Sequence, residues 1–168
     1  MDAAAKKPFP WYVRIIVGRN PLYTLFRALV WAVLLLVMFK FVLMGFRVRG
    51  QSMEPNFHDG QIHVINRLAY MRHPPRRGDV VAFRAAEYNA LILKRIVGLP
   101  GETVSIHRGG EIFINGKHLE EPYPTIGHTT FSGVAPLEPH QYFLFGDNRG
   151  ISERFFKYDY EILGKVVF

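Results

Sequence analysis

The stretch Glu111-Ile-Phe-Ile-Asn-Gly-Lys117 predicts a β-hairpin, and it indicates the fold class of the region around it. Three apolar residues that favour strands precede Asn115-Gly116, a pair that accepts the positive φ values of a two-residue hairpin turn. Similar short runs rich in Val, Ile and Phe recur between turn residues. The predicted strands are Ile62–Ile65, Val80–Phe83, Leu91–Val97, Thr103–Ile106, Ile112–Ile114, Tyr142–Phe145 and Leu163–Phe168. Because no amphipathic helix interrupts them, we expect a mainly β domain built on an antiparallel sheet.

The chain has 168 residues, a formal net charge of +7 and no cysteine. This length suits one modest domain, and the lack of thiols excludes disulfides, Cys-ligated zinc, iron–sulfur clusters and cysteine nucleophiles. The positive charge is concentrated in residues 1–49, whereas residues 50–168 carry equal numbers of basic and acidic side chains. A neutral β domain lacks the basic surface of a nucleic-acid binder, so we expect no nucleic-acid partner.

The most apolar stretch of the chain is Leu22 to Phe46, interrupted only by Arg27 and Lys40. A helix that spans a bilayer needs about 20 residues. The two cations can reach the membrane interfaces along their aliphatic stems. We therefore expect a basic segment over residues 1–21, a transmembrane helix over 22–46 and a β domain over 47–168. A buried core helix is the alternative, whereas a cleaved signal peptide fits less well because no small-residue cleavage pattern follows.

Basic residues are more numerous before this apolar segment than directly after it. Lys6, Lys7, Arg14 and Arg19 precede it, and Arg47 and Arg49 follow it. Cytoplasmic flanks carry the excess of Lys and Arg in single-span proteins. This asymmetry predicts a cytoplasmic N-terminus and a β domain on the far side of the membrane.

Ser52 and Lys94 are candidate catalytic side chains. Ser52 stands in Arg49-Gly-Gln-Ser-Met-Glu-Pro55, between a glycine that lets backbones approach closely and a proline that restrains the turn. Lys94 lies in a strand pattern among apolar neighbours, where desolvation disfavours the ammonium form and favours a lysine that accepts protons. Taken alone, Ser52 can equally be a turn serine, and Lys94 a lysine whose amine reaches solvent at a strand edge.

Motifs of other enzyme classes are absent from the sequence. It contains no Gly-x-Ser-x-Gly, Ser-x-x-Lys, His-Glu-x-x-His or phosphate-binding glycine motif. The seven histidines do not cluster at metal-ligand spacing, and the nearest pair is His58 and His63. We therefore expect neither a metal nor a cofactor.

Four ordered blocks behind the apolar segment resemble the type I signal peptidases over essentially the whole chain. The blocks are Gly50-Gln-Ser-Met-Glu-Pro55, Arg77-Gly-Asp-Val-Val-Ala-Phe83, Lys94-Arg-Ile-Val-Gly-Leu-Pro-Gly-Glu102 and Gly146-Asp-Asn-Arg-Gly-Ile-Ser152. The resemblance implies a serine endopeptidase that removes signal peptides from exported preproteins. Ser52 falls on the family's nucleophile and Lys94 on its general base. It also implies a single-pass protein, for which we expect the bacterial inner membrane.

The resemblance also implies residues that support the pair. Ser152 matches the serine that orients the lysine, and Asp147 and Arg149 match the block that supports the site. We expect Arg95 to pair with Asp147, with an ordinary surface salt bridge as the alternative. The Arg77-Gly78-Asp79 block is interpreted as a structural turn that leads into a strand.

Oxyanion stabilisation and substrate binding involve further candidates. The backbone N–H of Ser52 is the expected oxyanion donor, because Gly50 offers no hydroxyl two residues earlier. Val48 and Leu93 are candidates for lining shallow pockets, with plain core residues as the alternative. By the resemblance, these pockets accept small residues such as Ala before the cut, in preproteins that reach the enzyme beside membrane lipid and the secretion machinery.

Two departures from the family pattern concern the substrate range. The segment after Ser152 reads Glu153-Arg-Phe-Phe-Lys157 where the family usually continues through an Asp and a Ser to an Arg, so Glu153 or Arg154 is expected to fill in as support. Asn56 follows Pro55 where a Thr or Ser is common. The alternatives are a specialised member that processes one dedicated substrate, such as a pilin or a conjugation protein, and a non-catalytic membrane-anchored β domain that binds extended peptides.

Overall fold

The computed structural model describes residues 20–85, 90–152, 155–156 and 161–167. The chain comprises two compact units, Met1–Phe41 and Val42–Phe168. The predicted basic segment, residues 1–21, lies outside the described residues up to position 19.

Helix α1 runs from Pro21 to Val37 and has the features of a regular helix start. Pro21 occupies the first helical position, where its missing N–H costs no hydrogen bond. The side chain of Asn20 caps the helix by accepting a hydrogen bond from the backbone N–H of Leu22 at 3.3 Å. A π-helical turn, Met38–Val42, continues α1. Leu22–Val42 is long and apolar enough to cross a membrane by length and composition, with a mean hydropathy of 2.2.

The helical segment ends at Val42, earlier than the predicted transmembrane boundary at residue 46. Leu43–Arg47 forms strand β1, which pairs antiparallel with β2, Ile62–Asn66. The prediction was wrong there because hydropathy scores apolar residues alike in a helix and in a strand. Met44 and Phe46 alternate along β1 and pack against a core cluster, which stabilises the strand.

Seven strands form the larger sheet, in the order β1-β2-β11-β3-β4-β9-β10. All of its neighbouring strands are antiparallel. The strands not yet located are β3 Val80–Ala85, β4 Ala90–Gly98, β9 Phe143–Phe145, β10 Phe155–Phe156 and β11 Glu161–Val166. Strand β4 is therefore an inner strand, flanked by β3 and β9.

Four further strands form a smaller antiparallel sheet in the order β7-β6-β5-β8. They are β5 Thr103–Ile106, β6 Ile112–Ile114, β7 Lys117–His118 and β8 Gly133–Pro136. The predicted hairpin joins β6 to β7, with φ of 50° at Asn115 and 78° at Gly116. The mainly β, antiparallel fold class is confirmed.

Each predicted strand is present, two of them with identical ends and the others with ends that shift by at most two residues, and Phe168 lies outside the described residues. Strands β1, β8 and β10 were missed, and β7 was predicted only as the second arm of the hairpin. Strand β8 contains Gly133 and Pro136, which strand propensity disfavours, and β10 has only two residues. Pairing with β5 stabilises β8, and pairing with β9 stabilises β10.

One core cluster lies directly beneath the turn that carries Ser52. Met53 is 1% exposed, and it packs in the same cluster as Val48 and Leu93. Full burial of one such apolar side chain contributes about 1.5–3 kcal/mol. Val48 and Leu93 thus lie in the core, and a part in lining the substrate pocket stays a prediction.

Asp79 connects β11 to the turn before β3. Its carboxylate accepts hydrogen bonds from Lys165 Nζ at 2.6 Å, from the Tyr70 hydroxyl at 3.1 Å and from the backbone N–H of Arg76 at 3.1 Å. Gly78, the preceding residue, has φ of 87°, a conformation that favours glycine. These contacts are those of a structural turn, in keeping with the interpretation of the Arg77-Gly78-Asp79 block.

Asp79→Asn is expected to lower the free energy of unfolding at neutral pH by about 1–3 kcal/mol, since it removes a charged acceptor from a buried cluster. Burial alone would raise the pKa of Asp79, but the hydrogen bond and charge of Lys165 and the bonds from Arg76 and Tyr70 lower it overall. A carboxyl with a lowered folded pKa stabilises the fold above its unfolded pKa of about 3.8. That contribution disappears as the pH falls through the folded value.

Thermal or urea unfolding of both proteins from about pH 6 to about pH 2 measures this effect. The difference between Asp79→Asn and wild type should shrink as the solution becomes acidic. Glu111→Gln, at an exposed position, is the control and should show no such trend. A difference that stays constant across the pH range would contradict the assigned role of the ionised carboxylate.

Candidate active site

Ser52 lies in a compact turn anchored by its neighbour Met53. The carbonyl of Met53 accepts a backbone hydrogen bond from Phe57 at 3.0 Å, and its side chain is buried in the core. At the start of the turn, Gly50 has φ of 87° and donates its N–H to Asp59 Oδ1 at 2.7 Å. The turn that carries the half-buried Ser52 is therefore anchored after it by buried Met53 and before it by the hydrogen bond from Gly50 to Asp59.

Lys94 lies on the inner strand β4, opposite Val81 of β3, and it is only 3% exposed. The alternative of an amine that reaches solvent at a strand edge is therefore wrong. A buried position disfavours the charged ammonium form. The fold thus removes Lys94 from solvent, which is a condition that a proton-accepting lysine requires.

Ser152 connects Lys94 to the backbone that follows β9. Lys94 Nζ donates to Ser152 Oγ at 2.9 Å, and the same oxygen accepts from the backbone N–H of Gly146 at 2.8 Å. The carbonyl of Ser52 accepts a hydrogen bond from the backbone N–H of Asn148 at 3.1 Å. Ser52 and Lys94 are therefore both attached to one segment, residues 146–152.

Gly146 lies at the point where these groups come closest together. A Cβ at this position would lie less than 3.0 Å from both Ser152 Oγ and the carbonyl oxygen of Ser52. Real Cβ atoms essentially never make such contacts. The absence of a side chain at Gly146 is thus what allows the Ser52 turn to approach the hydrogen-bond partner of Lys94.

Arg95 and Asp147 form the expected ion pair, and it is buried. Arg95 donates through Nε to Asp147 Oδ1 at 2.8 Å and through Nη2 to Oδ2 at 2.6 Å. Asp147 is 0% exposed, so the alternative of an ordinary surface salt bridge is wrong. Removal of one partner would leave an uncompensated buried charge, which costs about 3–5 kcal/mol.

Arg149 restrains the carbonyl side of Gly146. Its Nε donates to the Gly146 carbonyl at 3.0 Å, and its Nη2 pairs with Glu121 Oε1 at 2.6 Å. The guanidinium also lies 4.6 Å from the ring centroid of Phe145. Gly146 is therefore restrained on its N–H by Ser152 and on its carbonyl by Arg149.

The segment Glu121–Pro124 packs on Arg95 and Arg149. The ring centroid of Tyr123 lies 3.9 Å from Cζ of Arg95. Burial, together with the hydrogen bond to Glu121, raises the pKa of Tyr123, so its hydroxyl stays protonated and donates to Glu121. Two prolines and an aromatic residue indicate a stiff segment, but nothing in its spacing indicates what it contacts.

Asn56 is a second residue whose contacts the sequence did not predict. Its side-chain amide donates to Asp147 and to the carbonyl of Pro124. Its position next to Pro55 was noted only as a departure from a common Thr or Ser. Glu153 and Arg154, the predicted substitutes for the altered segment after Ser152, lie outside the described residues.

Comparison with known proteins gives consistent matches. A family profile described as signal peptidase, peptidase S26, matches residues 22–158. Signal peptidase I of Bacillus licheniformis is 31% identical over 142 residues, which cover 78% of this chain and 76% of that protein. Signal peptidase I V of Bacillus subtilis (strain 168) is 31% identical over 122 residues, covering 64% of this chain and 71% of that protein.

A crystal structure of a signal peptidase I from Enterococcus faecalis V583 is 27% identical in sequence, with a TM-score of 0.42, and the match covers 55% of this chain and 92% of that chain. The assignment rests on the sequence matches, and the matched range of the family profile includes the apolar segment, the Ser52 turn, strand β4 and the segment that ends at Ser152. The chain therefore belongs to the signal peptidase family, peptidase S26.

Proposed function

We propose that this protein is a membrane-anchored serine endopeptidase that cleaves signal peptides from exported preproteins with Ser52 and Lys94 as its catalytic pair. The observation that carries the proposal is the hydrogen bond from buried Lys94 to Ser152, beside a glycine in close approach to Ser52. Family membership supports signal-peptide cleavage. The assignment of the pair adds the residues that perform the chemistry.

The first half of the reaction is acylation of the enzyme. Neutral Lys94 Nζ removes the proton from Ser52 Oγ, and the resulting alkoxide attacks the scissile carbonyl carbon. The backbone N–H of Ser52 donates to the oxyanion that develops on the carbonyl oxygen. As the C–N bond breaks, Lys94 returns the proton to the leaving amine, and the signal peptide stays attached to Ser52 as an ester.

Deacylation reverses these roles with water as the nucleophile. Lys94 takes a proton from water, the hydroxide attacks the ester carbonyl, and the proton returns to Ser52 Oγ as the ester bond breaks. Ser152 keeps the Lys94 amine in place through both steps. Arg95, Asp147 and Arg149 hold the segment that carries Ser152.

The substrate binds as an extended segment, with backbone hydrogen bonds that position it and alternate side chains that enter shallow pockets. Val48 and Leu93 form the apolar floor of these pockets, in the same cluster as Met53 beside Ser52. Because Val48 and Leu93 belong to the packed core, the pockets above them are shallow. Small residues such as Ala at the position before the cut and two before that therefore fit, and bulky residues do not.

The apolar segment anchors the enzyme in one pass. The excess of basic residues before it favours a cytoplasmic N-terminus and a β domain outside the bacterial inner membrane, near membrane lipid and the secretion machinery. Protease added to intact spheroplasts should degrade the chain beyond about residue 50. Full protection of that region would reverse the proposed orientation.

A preprotein with an Ala-x-Ala site, incubated with the full chain in detergent or lipid, tests the activity. We expect one cut directly after the second Ala, identified by the mass of the released product. Trp in place of that Ala should lower the cleavage rate at least about 100-fold. Trp at the x position is the matched control, because its side chain points away from the pockets and should leave the rate almost unchanged.

Equal loss of cleavage at both positions would contradict the pocket assignment. Binding of the intact preprotein without any cut would favour the non-catalytic peptide-binding alternative. Cleavage of one preprotein from a panel, with the others left intact, would favour a dedicated peptidase.

A further inference from the structure

The side-chain amide of Asn56 uses both of its N–H hydrogens to join distant parts of the chain. Nδ2 donates to Asp147 Oδ2 at 2.8 Å and to the backbone carbonyl of Pro124 at 2.9 Å. Asn56 itself belongs to the turn that carries Ser52, through a backbone hydrogen bond to the carbonyl of Met53 at 3.1 Å. One half-buried amide thus connects three segments.

We propose that Asn56 is a positioning residue for the peptidase reaction. By donating hydrogen bonds to Asp147 and Pro124, it aligns the Ser52 turn with the strand that carries Lys94. The proposal rests on the proposed function of Ser52 and Lys94. It concerns how the two reacting groups keep their alignment, and Asn56 itself touches neither substrate nor reacting atoms.

The first connection runs through a rigid ion pair. The carboxylate of Asp147 accepts two hydrogen bonds from Arg95, one at each oxygen. Asn56 donates the third hydrogen bond to this carboxylate, at Oδ2. Arg95 follows Lys94 directly on β4, and its Nη1 also donates to the carbonyl of Gly78 at 2.9 Å. A displacement of the Ser52 turn relative to β4 must therefore break the Asn56 bond or distort a buried ion pair.

The second connection runs through the carbonyl of Pro124, at the end of the segment Glu121–Pro124. Contacts on both sides of Pro124 restrain this carbonyl. Glu121 pairs with Arg149, and Tyr123 stacks on Arg95. Ile126, two residues after Pro124, donates its N–H to the carbonyl of Asp147 at 3.1 Å. The carbonyl of Ile126 accepts a hydrogen bond from the backbone N–H of Arg149 at 2.7 Å. Asn56 therefore donates to two acceptors that are held in one frame.

The chemistry of the side chain makes this arrangement testable. An amide NH₂ has two donor hydrogens, a Ser or Thr hydroxyl has one, and an ionised Asp has none. Asn56→Asp keeps the shape of the side chain but removes both donors and places a second negative charge beside Asp147. Asn56→Thr keeps one donor, and Asn56→Ala keeps none.

Steady-state kinetics of the full chain in detergent or lipid, with an Ala-x-Ala preprotein, measure the effect. Because a displacement of about 1 Å can cost about 100-fold in rate, Asn56→Ala should lower kcat by about 10- to 100-fold. Its KM should change by less than about threefold, since no substrate contact is lost. Asn56→Asp should be slower still, and Asn56→Thr should recover part of the rate.

Asn66→Ala is the matched control. The amide of Asn66 accepts a hydrogen bond from Leu68 N at 2.9 Å in the turn after β2, so its removal also deletes one side-chain contact to the backbone. Thermal unfolding in the same detergent compares the stability of all variants, and the kinetics are run well below every unfolding midpoint. The Asn66 variant should keep the wild-type kcat.

A wild-type kcat in Asn56→Ala would overturn the proposal, and so would a rise in KM without a fall in kcat. Equal losses in the Asn56 and Asn66 variants would reduce the effect to general destabilisation and would overturn it as well. If Asn56→Ala does not fold, the test uses the other two variants. A kcat of Asn56→Thr between those of wild type and Asn56→Asp supports the proposal. Equal kcat values for wild type, Asn56→Thr and Asn56→Asp contradict it. Cleavage that persists in Ser52→Ala would instead overturn the proposed function.

Discussion

Ser52→Ala and Lys94→Met are each expected to reduce signal-peptide cleavage by at least about 1,000-fold. Ser52→Ala removes the oxygen that forms the acyl-enzyme. Lys94→Met keeps a long, unbranched side chain in a site that is 3% exposed but removes the nitrogen that moves the proton. Because each residue is useless without the other, the double variant should be no slower than the slower single variant.

Release of the mature protein from the preprotein, followed by gel electrophoresis and by mass, tests this prediction. Ser132→Ala and Lys117→Met are matched controls, since both side chains are exposed and lie on the part of the chain that forms the smaller sheet and its loops. Both controls should cut at the wild-type rate. Cleavage at that rate by Ser52→Ala or Lys94→Met would show that the catalytic pair is assigned wrongly.

Gly146→Ala is expected to have the next largest effect, although it adds only one methyl group. The added Cβ would lie less than 3.0 Å from Ser152 Oγ and from the carbonyl oxygen of Ser52. One neighbour is backbone and the other is hydrogen-bonded to both Lys94 and Gly146, so neither can move without loss of a contact. We expect kcat to fall about 100-fold and the free energy of unfolding to fall by about 1–3 kcal/mol.

Gly45→Ala is the matched control for this variant. Gly45 lies on β1 in the larger sheet, whereas Gly146 follows β9 directly, and a Cβ at Gly45 would meet no atom within 4 Å. Kinetics and thermal unfolding of Gly45→Ala should therefore match those of wild type. A Gly146→Ala enzyme with wild-type kcat would mean that the close approach between the Ser52 turn and Ser152 is not needed for turnover.

Local pattern was enough to predict much of the β domain. The Asn115-Gly116 hairpin follows from two residues that accept positive φ, and Leu91–Val97 was predicted as a strand because apolar and β-branched residues dominate it. Strand β8 was missed because its stability depends on pairing with β5 rather than on its own residues. Propensity reports what a segment favours alone, and short strands take their stability from neighbours.

The site divides in the same way. The resemblance, the constrained turn around Ser52 and the apolar neighbours of Lys94 pointed to that pair, and the block from Gly146 pointed to Asp147 and Ser152. The contacts of Asn56 and of Tyr123 were not predictable, because each depends on which segments the sheet brings together. An amide beside a proline reads as an ordinary turn residue until its acceptors are known.

Composition and local order along the chain determined three properties: an apolar segment long enough to span a membrane, a neutral β domain behind it, and the hairpin turn. These three properties depend on composition and on residues close in sequence, so the amino-acid sequence is enough to predict them. Tertiary structure decided where the apolar run changes from helix to strand at Leu43, how deeply Lys94 is buried, and which groups meet at Gly146. Those outcomes depend on strand register and on contacts between residues dozens of positions apart, which no local pattern encodes.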